Sequence, residues 1–144
     1  MSEPKQIIVM RTDLKMRKGK MIAQGAHASM KVLIDAMIPD REKVAEFWKN
    51  TTSPDAQALE VKATFRGPVA DWVLGIFTKV CLRVESEEEL DAIYERAKEA
   101  GLPCALIVDA GKTEFNGVPT KTCCAIGPAM PEELDPITGH LKLL

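Results

Sequence analysis

The sequence predicts a single three-layer domain of α/β or α+β type, a small mixed sheet with helices packed on its faces. Short apolar runs rich in β-branched residues alternate with amphipathic segments in the order strand, helices, strand, helix, strand, strand. At 144 residues, with 46% apolar and 28% charged residues, the chain is about one domain long and can bury a core. It carries no internal repeat and no low-complexity tract, so residues 1–144 are read as one domain.

The first strand is KQIIVMR at residues 5–11, too short and too β-branched for a helix, and a basic turn follows at 12–19. From Gly19 the period changes. Ile22, Ala26, Met30, Leu33 and Met37 recur at helical spacing and predict a helix with that apolar face inward, ended by Pro39. Residues 40–71 read as mostly helical. REKVAEFWKN offers an apolar face in Val44, Phe47 and Trp48, Ser53-Pro54-Asp55 has the form of a helix start, and RGP at 66–68 interrupts the pattern. IFTKVCLRV at 76–84 alternates as a strand, after which Ser86 and Glu89 form a capping-box pattern for a helix that Gly101 ends. CALIV at 104–108 is a wholly apolar strand, DAGKT is a turn, and TKTCCAI at 120–126 is the fourth strand.

Net charge is −2, but it is unevenly spread. Residues 11–20 hold five bases (Arg11, Lys15, Arg17, Lys18 and Lys20) against the one acid Asp13, a patch able to attract a polyanion. The acidic stretch at 85–99 is the solvated face of its helix and receives no function. Cys81, Cys104, Cys123 and Cys124 lack CxxC spacing and lie in strand-like runs, so they read as reduced thiols. No window approaches the ~18 consecutive apolar residues of a membrane span, and the N-terminal apolar run is too short for a secretory signal. The expectation is a cytoplasmic protein with no membrane partner.

Two places carry chemistry. Lys20, Gln24, His27 and Lys31 recur at helical steps as one polar stripe, among the small residues Ala23, Gly25, Ala26 and Ala28 that permit close approach of a ligand or backbone. The DAGKT turn leaves the end of a buried strand, where open α/β sheets place ligands. It supplies a carboxylate, a permissive glycine, a cation and a hydroxyl, although an ordinary turn capped by Asp109 accounts for it equally well. The GK at 19–20 is not a P-loop, because Leu14 and Met21 stand where that motif needs Gly and Ser or Thr. His27 and His140 are far apart and lack acidic or cysteine partners at ligand spacing, so no metal site is read, and no nucleophile-elbow motif accompanies them.

Taken together, VMRTDLKMRKGKMIAQGAHA, LPCALIVDAGKTEF, TCCAIGPA and the terminal ITGHLKLL resemble the type II peptidyl-tRNA hydrolases, with Trp72 and Lys79 matching a further pair. The resemblance implies hydrolysis of the ester between a peptide and the terminal ribose of tRNA. It also implies an α/β fold with a four-stranded mixed sheet flanked by helices, no metal or other cofactor, and a homodimer. Carried over residue by residue, the active-site positions fall on Lys20, Gln24, His27, Asp109, Thr113 and Thr122. The chain departs from the family at Arg17, where a small residue is usual, and in a longer stretch between His27 and Trp72. That stretch reads as a helical insertion at about 38–71, expected to lie away from the chemistry.

Ester hydrolysis needs an activated water, a group for the developing oxyanion and a proton for the leaving oxygen. Asp109 can activate or orient water, Lys20 can meet the oxyanion, and Thr113 can position water or ribose. His27 is a proton donor or a structural partner, and the helix face leaves both open. Arg11, Lys15, Arg17, Lys18 and Lys112 are expected on phosphates, with Gln24 and Thr122 completing the substrate-binding set. The alternatives are a non-catalytic tRNA- or ribosome-binding module, and a protein-interaction module whose basic turn meets an acidic partner.

Overall fold

The computed structural model describes residues 2–49 and 60–144. KQIIVMR forms the central strand β1 (Lys5–Arg11), and its side chains from Gln6 onward are all buried. Alternation along the strand sends Ile7 and Val9 into one core and Ile8 and Met10 into another. Both faces must therefore be covered, which is the reason the run is continuously apolar.

After β1 come α1 (Lys18–Met37), α2 (Arg41–Lys49) and α3 (Gly67–Leu74), then β2 (Lys79–Val84), α4 (Glu87–Glu99), β3 (Cys104–Asp109), β4 (Thr120–Ala129), α5 (Pro131–Thr138) and β5 (Lys142–Leu143). The sheet order is β3-β4-β1-β2-β5. Only β1 and β2 run parallel, joined by the crossover that carries α1, α2 and α3, while the β1–β4, β3–β4 and β2–β5 pairs are antiparallel. α1 lies across β1, β4 and β3 on one face, and α4 and α5 cover the other. The three layers are therefore as expected.

The expected sheet of four strands is corrected to five. Lys142 and Leu143 pair with Arg83 and Leu82 at the β2 edge, a strand of two residues that offers no alternation to read. The Ser86 start of α4 is as the capping pattern predicts: its hydroxyl accepts from the Glu89 amide at 3.1 Å, while the Glu89 carboxylate accepts from the Glu85 amide at 3.2 Å. All four cysteines are free, and burial pushes the Cys123 thiol up to about 12, so it is no thiolate at neutral pH. The Ser53-Pro54-Asp55 start lies outside the described residues, as do the side chains of Val44, Phe47 and Trp48.

The inward face of α1 differs from the apolar stripe that the periodicity selects. Gln24, Gly25, Ala28, Ser29 and Val32 are the buried residues, whereas Ile22 is 73% exposed and Met30 is 55% exposed. Small and polar residues win because the helix packs close against the sheet and its polar atoms find partners there. Ser29 donates to Gln6 Oε1 at 2.5 Å and Thr122 donates to Gln24 Oε1 at 2.6 Å. No helix among the described residues is long and apolar enough to cross a membrane.

Candidate active site

α1 begins at the basic turn with no side-chain cap and no acid in its first turn. The partial positive charge of its N-terminus and the Lys20 ammonium therefore need a negative group from elsewhere, and β3 delivers one at its last residue. Lys20 Nζ lies 3.0 Å from Asp109 Oδ1 and 3.0 Å from Thr113 Oγ1, donating to both. One helical turn on, Gln24 Nε2 donates to the same Asp109 Oδ1 at 3.1 Å. Gln24 is in turn oriented by the buried Thr122 of β4, whose hydroxyl holds its amide oxygen. A Phe115 ring stands 5.5 Å from Lys20 Nζ.

The second Asp109 oxygen accepts from the Gly111 amide at 2.9 Å. Gly111 has φ +79°, and a Cβ there would lie 2.4 Å from the Val118 carbonyl oxygen, so the turn admits only glycine. This turn closes over residues 110–119, which join β3 to β4.

Chiefly the hydrogen bond from Lys20, then the Gly111 amide, the Lys20 charge and Gln24, hold Asp109 below the usual carboxylate range against the opposing effect of desolvation. The side chains of Lys20 and Asp109 are 13% and 16% exposed, screened from bulk water but reachable from it. Asp109 is thus a carboxylate at any physiological pH and a weak proton acceptor, suited to orienting rather than abstracting. Because its folded value is depressed, the stability it contributes is present above the unfolded carboxylate value of about 3.9 and is lost as pH falls through the folded value. The gap in unfolding midpoint between wild type and Asp109→Asn is therefore expected to stay constant from about pH 5 to 8 and to shrink below about pH 4. Denaturant titrations across that range measure it.

His27 sits exposed on α1 beside a groove that it lines with Met30, Lys31, Ile34, Arg41 and residues 106–110, including Asp109. It makes no hydrogen bond with any described residue. Arg41, the first residue of α2, thus brings the edge of the 38–71 segment to the groove that Asp109 lines. Nothing in the sequence announced that, because Arg41 belongs to no periodic stripe.

Of the expected phosphate-binding cations, Lys15, Arg17, Lys18 and Lys112 are exposed and form no ion pair with a described residue. Arg11 is placed differently. It is only 9% exposed, donates to both Asp13 oxygens at 3.0 and 2.6 Å and to the Lys121 carbonyl at 2.9 Å, and also faces Glu87 at 3.7 Å. It ties the basic turn to β4, and the patch that faces outward is smaller than the count of bases suggests.

The sequence profile of the family described as "Peptidyl-tRNA hydrolase PTH2" matches residues 4–144. The peptidyl-tRNA hydrolase of Methanocaldococcus jannaschii is 40% identical over 140 residues, covering 97% of this chain and 99% of that protein. That of Methanopyrus kandleri is 39% identical over 140 residues, covering 97% of each. A solved structure of a protein of unknown function from Agrobacterium tumefaciens C58 shares the fold, with a TM-score of 0.54 at 16% identity over 100% of this chain and 99% of that one. With a full-length family match and relatives near 40% identity, the chain belongs to the peptidyl-tRNA hydrolase PTH2 family.

Proposed function

We propose that the protein hydrolyses the ester joining a peptide to the terminal ribose of tRNA. The observation that carries this is the Lys20–Asp109–Thr113 cluster, in which an ammonium, a carboxylate and a hydroxyl meet in a chain whose basic turns carry four exposed cations that form no ion pair with a described residue. A binding module gains nothing from a carboxylate held at the mouth of a phosphate-binding surface, where it repels the ligand.

Lys20 is the group for the oxyanion that develops when water attacks the ester carbonyl. Asp109 holds Lys20 in place, and the remaining lone pair on Oδ2 orients the water. Thr113 positions water or ribose beside Lys20, and Gln24, fixed by Thr122, sets the angle of the carboxylate. His27, which makes no hydrogen bond with a described residue, lines the groove that Asp109 lines, and it takes the proton from the attacking water and returns it to the departing ribose oxygen. The water oxygen bonds to the carbonyl carbon, the bond to the ribose oxygen breaks, and no metal or redox partner is required.

Incubating purified protein with labelled N-acetyl-aminoacyl-tRNA tests this directly. Release of the labelled acid is expected. A folded protein that binds tRNA and releases nothing would establish the non-catalytic module instead.

Lys15, Arg17, Lys18 and Lys112 hold the tRNA backbone. Replacing each of them by Ala is expected to reduce the log–log salt slope of tRNA binding by about one for every phosphate no longer held. Arg11→Ala is expected to lower stability and leave the slope alone. Filter binding at several salt concentrations separates the two behaviours.

The exposed apolar stripe of α1 supports a homodimer. Ile22, Met30 and Leu33 line an open, largely apolar groove of about 870 Å³ with Trp72, Val73 and Phe77. A second copy is the proposed occupant. Ile22→Asp is expected to convert the dimer to a folded monomer, read by sedimentation equilibrium, and a monomeric wild type at micromolar concentration would remove the dimer. Residues 38–71 are proposed as an insertion within the single 1–144 domain, helical at α2 and from Gly67 but not over residues 60–66, and a cytoplasmic location is proposed from the substrate.

A further inference from the structure

β3 is an edge strand: β4 pairs with one side of it, and among the described residues no strand pairs with the other. The groove beside it is lined by Leu106, Ile107, Val108, Asp109 and Ala110. These residues are consecutive, whereas a groove on a face of the sheet would be lined by alternate ones, so this groove follows the backbone edge itself. Its opposite wall is the stripe His27, Met30, Lys31 and Ile34 of α1, one side of a helix at steps of three, one and three, with Arg41 of α2 beside it. An edge strand presents a row of unpaired amide and carbonyl groups, which proteins usually guard with a proline, a lysine or a covering element. CALIVD has neither proline nor lysine, and Val108 is 55% exposed on it. Its one irregularity, a register shift between Ile107 and Val108, falls just before Asp109, where such bulges re-aim side chains.

We propose that this edge is the peptide subsite: the peptide of the substrate lies extended in the groove and pairs with β3 through main-chain hydrogen bonds. The proposal rests on the reading of the protein as a peptidyl-tRNA hydrolase, and it adds where the peptide goes and by what chemistry it is held. The ester carbonyl must lie at the Asp109 and Lys20 end, so the peptide runs back from there towards Leu106. Its C-terminus and that of β3 then coincide, and the two strands are parallel. Main-chain pairing carries no side-chain information, which suits an enzyme whose substrates' peptides share only their amide backbone. At about 3.3 Å per residue the groove along 106–110 takes roughly three to four residues. Met30 and Ile34 offer apolar contact to alternate side chains, and the others face water.

The test uses the intact protein and a set of N-acetylated peptidyl-tRNAs of one to five residues, together with a tetrapeptide substrate N-methylated at each amide in turn. kcat/KM is expected to rise about tenfold between one residue and three or four and then level off, since each net hydrogen bond contributes a factor of roughly five. N-methylation is expected to cost about five- to tenfold at alternate amides and little at those between, because a strand presents every second amide to its neighbour. Exchanging side chains at fixed length is expected to matter less. A second measurement needs no turnover: a tetrapeptide joined by an amide to 3′-amino-3′-deoxyadenosine should slow amide hydrogen exchange in residues 106–110. Hydrolysis that is indifferent to peptide length, or a uniform effect of N-methylation, overturns the subsite and leaves the hydrolase standing. Failure to hydrolyse any member of the series overturns both.

Discussion

Asp109→Asn is expected to lower kcat/KM by about 10²- to 10³-fold while tRNA affinity stays equal or improves slightly. The carboxylate makes three hydrogen bonds, all as acceptor: two on Oδ1 from Lys20 and Gln24, and one on Oδ2 from the Gly111 amide. An asparagine amide can match only one side of that arrangement. With its oxygen towards Lys20 and Gln24, its NH₂ meets the Gly111 N–H donor to donor; turned over, it meets Lys20 and Gln24 instead. Either way Lys20 loses the charge that fixes it, and in the first orientation the water loses its acceptor as well. Removing a negative charge from the proposed phosphate-binding surface does not weaken attraction to phosphates, so the loss falls on turnover. Activity per folded molecule, tRNA affinity and melting temperature on this variant separate the reading from a simple turn cap, which lowers stability and spares turnover.

Most of this site is legible in the sequence alone, and the reasons are local. Lys20, Gln24 and His27 share a side of one helix because four- and three-residue steps dictate it, and Asp109 stands at a strand end because an apolar run stops there. What no periodicity carries is the pairing between elements. That Thr122 would reach Gln24 depends on how closely α1 approaches β4; Gly25 and Ala28 signal close approach in the sequence, but neither they nor Ser29 say which strand is approached. The same search chose Ile22 and Met30 as core when they face an open groove, since apolar spacing marks any buried or dockable face and does not say which. Arg11 misled for a related reason: a charge count treats every base as free, while Asp13 two residues later already engages it. The Ile107–Val108 shift and the groove at the β3 edge are tertiary properties with no sequence signature.

The strongest test of whether the cluster acts as one device is a double-mutant cycle on Lys20 and Asp109. Lys20→Ala alone is expected to cost about 10²- to 10³-fold in kcat/KM, the usual loss for one oxyanion donor. Asp109 stays partly satisfied in that variant, because Gln24 and the Gly111 amide still donate to it, so the fold is expected to hold. If the two residues worked independently, the double variant would multiply the two losses to about 10⁴–10⁶. The geometry argues otherwise: at 3.0 Å, Asp109 acts chiefly through the ammonium that it positions, and a water oriented by Oδ2 gains little once the oxyanion donor is gone. Lys20→Ala with Asp109→Asn is therefore expected within about tenfold of the worse single variant, as for catalytic groups that operate as a unit. Lys20→Arg is expected to rescue little, since a planar fork does not replace a compact ammonium that meets Asp109 and Thr113 together. Full multiplicativity in the cycle would detach Asp109 from Lys20 and assign it a separate step, the orientation of the attacking water.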